Sequence, residues 1–541
     1  MLMEKSVDGF ADTASYDIGA HKCVHFCGLN CLIPFRPPLA FVGWLCNCGI
    51  SIARRDRVGT MNRSMLKFTL LCTLLAVVTS GCAHSTKWDL KTGADVSKEL
   101  AASEGIYDNP KLTAYVNMTG QQVVSQVSDR PYDFQFQIID QPVANALSLP
   151  GGYVYVTRGL LALTNSQDEL ACVLGHETTH VIKRHAAQRM EAATVPAIFT
   201  LPGALVGTIS PLAGDVLAAP AEGVGGLFLA GYSRDQEREA DRVGQELAAR
   251  AGFDPHAMPE FLDRLGQTET LTSNPHDPRI PSIFQTHPQT PERVAATRER
   301  ADELAATIKP PPSPHDRDAY VALLDGLVLH DNPAVGLFVG DAFLHPTMGF
   351  AFTAPHGWTD LNMPIAVVVV SPRQDAAVLL DRPRGVTTPD QAAQQFIAEL
   401  NRQHIAAPAV ESLTIGDLPA RRVSLTQQDG GTTDYLEITW LQLRGVTYRL
   451  LAVAASNNLA TVRSVVTSFH DLTPAERASI KVTRLRITEA RPGETLADVS
   501  RRMDNQWDGE TTAVMNGVDE NAPLRPGQRI KVARTEAYVS P

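Results

Sequence analysis

The spacing of apolar and polar positions changes along the chain, and the changes mark its elements. Residues 92–135 mix polar helical stretches with loops. Strand-like patterns over 134–139 and 152–156 predict two strands, and the stretch from Asn145 to Gly152 supplies a turn between them. A helix is signalled from Ser166, where Ser166 and Glu169 make a capping-box pair. The run that follows holds no proline before Pro196 and one glycine, Gly175. Residues 192–231 are apolar with Asp215 and Glu222 as their charges, but Pro196, Pro202, Pro211 and Pro220 interrupt them. Buried short helices or a membrane-facing hairpin fit that pattern better than a spanning helix. A second clear helix starts at Ser233, capped by Ser233 and Gln236, and stops at Gly252 ahead of Pro255.

The prolines at 310, 311, 312 and 314 predict a stiff linker. Beyond it, residues 341–472 alternate strand-like runs, such as 365–370, with a helix near 388–402, which reads as an α/β domain. Residues 487–532 read as a small separate unit. The resulting partition is 83–308, a linker and connecting segment over 309–340, then 341–472 and 473–541. A length of 541 residues agrees with about three domains. The net charge of −11 sets aside a nucleic-acid partner, because phosphate binding needs a basic footprint.

Cysteine placement changes the picture at the N-terminus. Cys23, Cys27, Cys31, Cys46 and Cys48 precede residue 60, Cys72 and Cys82 lie in or just after an apolar run, and only Cys172 follows, so no disulfide framework is expected. Arg63 and Lys67 precede the apolar run from Phe68 to Val78, which reads as a signal peptide over 61–82. It ends in Val78-Thr79-Ser80-Gly81-Cys82, which resembles a lipobox, with Thr79 where leucine is usual; cleavage there would leave a lipid anchor at Cys82. Residues 1–60 then read as an upstream extension outside the mature protein. The rival, a metal site built from their five cysteines, lacks the usual paired spacing.

The chemistry centres on His176-Glu177-Thr178-Thr179-His180 in the middle of the first strong helix. Imidazoles at i and i+4 project from one face and can share a tetrahedral Zn²⁺, and Glu177 is placed to take a proton from an attacking water. A third histidine six residues after His180 would complete one known arrangement, but that position is Ala186, and the residue three after His180 is Lys183 rather than glycine. His185 is off register and is expected on the solvated face. The other route is a carboxylate from a second helix. Glu237 and Asp241 share a face, so that one can bind zinc while the other receives the N–H of a ligand histidine, and Glu239 points elsewhere into solvent. Cys172 reads as a core thiol, and His276 matches no pattern.

Leu149-Pro150-Gly151-Gly152-Tyr153-Val154-Tyr155-Val156, the His176–His180 motif, Glu237-Arg238-Glu239-Ala240-Asp241, and Thr286-His287-Pro288 with Arg293 together resemble the HtpX- and BepA-like zinc metallopeptidases, gluzincins related to the prenyl-protein proteases. The resemblance runs from about Leu90 to Arg293. It implies an α+β chain: a mainly helical zincin-type domain with a small edge-strand sheet, then the α/β domain and a small terminal domain. By it, His176, His180 and Glu237 hold one Zn²⁺ per chain, Glu177 is the general base, and Asp241 supports a ligand from behind. Gly152, Tyr153 and Val154 would form the edge that pairs with an extended substrate. His287 would be a loop histidine able to take the fourth metal position and hold the enzyme latent, and Arg293 would steady negative charge nearby or pair structurally.

No tetratricopeptide period follows, unlike in BepA-like relatives. Residues 488–532, with Arg491-Pro492-Gly493 and Arg525-Pro526-Gly527, instead resemble a LysM module, which implies peptidoglycan as a partner. The expected function is a zinc endopeptidase of the bacterial envelope acting on unfolded or misassembled proteins, as an outer-membrane lipoprotein because Ala83 lacks the Asp of inner-membrane retention. Its rivals are a chaperone with latent proteolysis and a cell-wall-binding factor.

Overall fold

A computed structural model describes residues 85–192, 231–271, 283–288, 291–308, 316–429 and 432–540. The expected signal peptide, Cys82, the five early cysteines, the apolar stretch 193–230, His276 and the prolines at 310–314 lie outside these residues. Among the described residues no helix is long and apolar enough to cross a membrane.

The first half is helical around one small sheet. α1 (Thr86–Glu104) and α2 (Pro110–Val124) precede β1 (Gln135–Ile139), β2 (Ala146–Leu149) and β3 (Tyr153–Thr157). The sheet order is β1-β3-β2, with β3 parallel to β1 and antiparallel to β2. Residues 145–152 are therefore not merely a turn, because four of them form β2. The strand expected at the edge is the central one: Val154 is fully buried and β3 is hydrogen-bonded on both sides, so among the described residues β1 and β2 are the edges of this sheet. Gly152 serves the turn instead, since its φ is +98° and a Cβ there would stand 2.4 Å from the Asp133 carbonyl oxygen.

α3 (Arg158–Leu163) leads into α4 (Gln167–Ile182) and α5 (His185–Ala192). The single long helix expected from Ser166 is thus broken after Ile182, where Arg184 takes a left-handed φ of +54°. That conformation costs a non-glycine residue about 1 kcal/mol or more. Here it is held by an ion pair from Arg184 to Asp89, 2.9 Å away and itself buried. α6 (Arg234–Arg250), α7 (Ala257–Leu271), the short α8 (Ile283–Thr286) and α9 (Pro291–Thr307) complete the helical layer.

The segment 316–340 connects the halves but is no mere linker. α10 (Arg317–Leu323) buries Tyr320 and Val321, and with Leu324, Leu327 and Val328 they join the same core as Leu160, Leu170 and Phe261.

Residues 337–471 form an antiparallel α+β unit, which corrects the α/β expectation: among the described residues no strand pair within it is parallel. β4 (Leu337–Val339), β5 (Ala342–His345) and β6 (Phe350–Thr353) form a small sheet with β14 (His470–Asp471). β7 (Thr359–Met363), β8 (Ala366–Val370), β9 (Ala376–Asp381), β10 (Val410–Ile415), β11 (Leu418–Asp429), β12 (Thr432–Leu443) and β13 (Val446–Ala455) form a larger one. Alternation along β13 explains its two covered faces. Leu450, Ala452 and Ala454 face a core containing Phe343 and Phe350, while Leu451 and Val453 face one closed by α11 (Pro389–Arg402). α12 (Leu459–Thr467) adds Val462 and Val465 to the first of these cores.

After α13 (Pro474–Ser479), the terminal unit runs β15 (Lys481–Glu489), α14 (Leu496–Met503), α15 (Gly509–Asn516), β16 (Arg529–Ala537), with the two strands antiparallel. It was expected to stand apart but is docked on the helical half. The Lys531 side chain is fully buried, and its Nζ donates to the carbonyls of Ala162 and Thr164 at 2.7 and 3.2 Å, at the end of α3.

Candidate metal centre

Two helices carry the site, and both are started by capping. Ser166 Oγ accepts from the Glu169 amide at the head of α4, although Glu169 turns its carboxylate to the Asn165 amide rather than completing the box. α6 has the full reciprocal box between Ser233 and Gln236. The helices touch where both lack a side chain. A Cβ on Gly175 would lie 2.5 Å from the Gly244 carbonyl oxygen, and one on Gly244 would lie 2.5 Å from the His176 amide nitrogen. This contact brings Glu237 and Asp241 against the histidines of α4.

His176 Nε2 lies 3.0 Å from His180 Nε2, and each is 3.5 Å from an oxygen of Glu237. His287, set by α8, brings its Nδ1 to 3.2 Å from His176 Nε2 and 3.0 Å from Glu237 Oε1. One ligand atom from each of these four residues falls within 4.8 Å of all the others. Glu177 reaches the same place: its Oε1 is 3.4 Å from His287 Nε2, while its buried Oε2 has no hydrogen-bond partner. Behind the cluster, Asp241 Oδ1 is 2.9 Å from His176 Nδ1. Arg293 grips both carboxylates, with Nε and Nη2 each 2.7 Å from Asp241 and Nη1 2.7 Å from Glu237 Oε2. These distances put Arg293 both in an ion pair with Asp241 and against the negative charge of Glu237.

Burial and charge set the protonation of the group. Burial pushes the His180 imidazole well below its ordinary range. Burial alone would raise Glu237, but the charges of His287 and His176 outweigh it and hold the carboxyl well below the usual range. Asp241 is likewise lowered against its burial by hydrogen bonds from His176 and Arg293. His287 moves the other way, since the charges of Glu237 and Glu177 overcome burial and raise it. A small, mostly apolar pocket, lined in part by Val173, Met258, Phe261 and Ile283, opens beside Glu177 and His287.

Residues 110–301, which contain every one of these side chains, match the model of peptidase family M48. This stretch is an M48 peptidase domain. The chain is 32% identical over 234 residues to the beta-barrel assembly-enhancing protease of Escherichia coli K12, covering 42% of this chain and 46% of that protein. It is 31% identical over 252 residues to the Yersinia pestis protein of the same name, covering 45% and 49%. It is 28% identical over 219 residues to the mitochondrial metalloendopeptidase OMA1 of Schizosaccharomyces pombe, covering 40% and 61%. The chain thus spans about half the length of the bacterial relatives. A solved structure of cyanobacterial PsbP from Synechocystis covers 25% of this chain and 95% of its own, at 16% identity and a TM-score of 0.20, too weak a likeness to bear on the fold.

The cofactor of M48 peptidases is zinc, and the donor set fits it. Two imidazoles and a carboxylate are its usual nitrogen and oxygen ligands, and tetrahedral bonds of about 2.0–2.1 Å place neighbouring donors about 3.3 Å apart. The separations of 3.0 and 3.5 Å among His176, His180 and Glu237 straddle that value.

Sequence reading missed three contributors to the M48 site. His185, expected in solvent, is 1% exposed and brings its Nδ1 to 2.9 Å from His180 Nδ1. Glu239, also expected to be free, pairs with His185 and Lys183 at its half-exposed position. Tyr232 stacks on the His180 ring with centroids 3.8 Å apart. No local spacing marks these three contacts; the sequence does mark the close approach of the two helices, through Gly244, a helix-interior glycine whose cost of about 1 kcal/mol calls for a packing reason.

Proposed function

We propose that this protein is a zinc-dependent endopeptidase of the bacterial cell envelope that hydrolyses peptide bonds in unfolded or misassembled proteins. The observation that carries the reading is the convergence of His176, His180 and Glu237 with Glu177 beside them. When bound, zinc supplies a Lewis acid for the scissile carbonyl and makes water more acidic. Glu177, whose buried Oε2 has no other partner, accepts the proton of the attacking water and passes it to the leaving amine. An extended substrate adds to the free edge of β2, whose Ser148 and Leu149 share a cleft with His180, so that main-chain hydrogen bonds align it without strict sequence demand. The apolar cavity beside Glu177 receives a substrate side chain.

His287 belongs to the same donor cluster, which favours a second mode in which it occupies the fourth position and keeps the enzyme latent, holding clients as a chaperone does. Membrane attachment through a lipid on Cys82 and peptidoglycan contact through residues 473–541 complete the proposal; the strand-helix-helix-strand order of the terminal unit and its resemblance to LysM support the latter.

The test is bound metal measured together with cleavage of unfolded casein, for the parent and Glu177→Gln. One zinc per chain with cleavage lost in the variant is the expected result. Zinc without cleavage in any form moves the reading to the chaperone, and absence of zinc sinks both.

A further inference from the structure

The zinc reading gives His176 an obvious support in Asp241 and Arg293, but it leaves His180 with none from the acidic helix. The structure supplies one from an unexpected direction. α4 ends at Ile182, and the left-handed Arg184, anchored on Asp89, turns the chain so that the next residue folds back under the helix. That residue is His185, buried to 1% exposure, with Nδ1 2.9 Å from His180 Nδ1. His185 Nε2 lies 3.3 Å from Glu239 Oε2, and Glu239 Oε1 lies 2.6 Å from Lys183 Nζ.

The tautomers along this chain are forced by its two ends. His180 turns Nε2 toward His176 and Glu237, so Nε2 must present a lone pair there and its proton sits on Nδ1. Two nitrogens at 2.9 Å need one donor and one acceptor, so His180 Nδ1–H donates and His185 Nδ1 accepts. The His185 proton then sits on Nε2, where the Glu239 carboxylate accepts it. A continued helix would carry residue 185 round to another face, so the break at Arg184 is what makes the contact.

We propose that His185 is a positioning residue for the metal ligand His180, oriented by Glu239 and delivered by the strained turn at Arg184. It fixes the tautomer and ring plane of one ligand as Asp241 does for the other. The proposal rests on the zinc reading of the site. Tyr232, stacked on the face of the His180 ring, limits its tilt, while His185 meets the ring at its Nδ1 edge.

The experiment compares zinc dissociation constants of the full chain, by chelator competition, for the parent, His185→Asn and His185→Gln, with thermal unfolding of each metal-free form as the folding control. Asparagine places its carbonyl oxygen where Nδ1 was, whereas glutamine moves it out to the Nε2 position. We expect His185→Asn to stay within about 3-fold of the parent and His185→Gln to bind zinc about 10- to 100-fold more weakly, the usual effect of removing a ligand's support. In the cobalt-substituted protein the d–d spectrum should shift in His185→Gln alone. A parent without zinc would overturn the zinc reading itself. A zinc-binding parent with both variants at parental affinity, or both weakened equally, would overturn the role of His185 and leave the zinc reading standing.

Discussion

Asp241 Oδ1 stands 2.9 Å from His176 Nδ1, on the ring whose Nε2 faces His180 and Glu237. The same carboxylate takes two contacts from Arg293, so one acidic side chain joins the donor cluster to the helix that carries the arginine.

Removing that arginine should therefore cost more than a surface charge would. Arg293 is 6% exposed and compensates two buried carboxylates, and breaking a buried pair on one side costs about 3–5 kcal/mol. Chemical unfolding of metal-free Arg293→Met should show a loss in that range; a loss under about 1 kcal/mol would mean that the grip on Glu237 and Asp241 contributes little.

Glu177→Gln should lower peptide hydrolysis by about 10²–10⁴-fold, the usual worth of a positioned general base, with bound zinc unchanged. Metal content separates this outcome from collapse of the site, because Glu177 stands beside the donor set and is not counted among its four members.

His287→Ala should raise casein cleavage. The imidazole lies within the donor cluster and 3.4 Å from Glu177, so its removal frees both a metal position and the base. Initial rates at equal zinc occupancy are the measurement, and an unchanged or lower rate would remove the latch.

Lys531→Met should loosen the terminal unit from the helical half. Its three contacts to carbonyls at the end of α3 are lost, and unsatisfied buried acceptors cost about 1–3 kcal/mol. Urea unfolding followed at Trp507, which packs against the shared core, reports the change.

The antiparallel unit carries its own acid sensitivity. Burial lowers His345 from 6.5 to about 4, and its Nδ1 accepts from the Met348 amide at 3.3 Å, which a protonated ring cannot do. Between those values the unfolded chain binds the proton and the folded one does not, so stability rises with pH across this window. The contribution is complete above about 6.5 and is lost as pH falls toward 4. It amounts to about 3 kcal/mol at about 1.4 kcal/mol per pH unit. Unfolding free energies at pH 7 and 4.5 should differ less in His345→Asn than in the parent.

What the sequence determined by itself were the features written in local spacing. The i, i+4 pair of histidines with an interposed glutamate needs only helical geometry to converge. The Ser233 and Gln236 box starts α6 wherever that helix is placed, and strand-like runs of apolar and β-branched residues marked β1, β3 and β8. Tertiary structure decided the rest. Whether Tyr153–Thr157 was an edge or a centre depended on a four-residue strand too short to show a period, and β2 took the edge. Whether residues 337–471 paired parallel or antiparallel depended on chain direction between strands, which no alternation encodes. His185 looked solvated because helical periodicity put it off the metal face; a left-handed residue stabilised by Asp89, 95 positions earlier, turned it inward. The terminal unit reads as separate because local spacing shows no long-range contact; the tertiary structure brings Lys531 to the buried carbonyls at the end of α3.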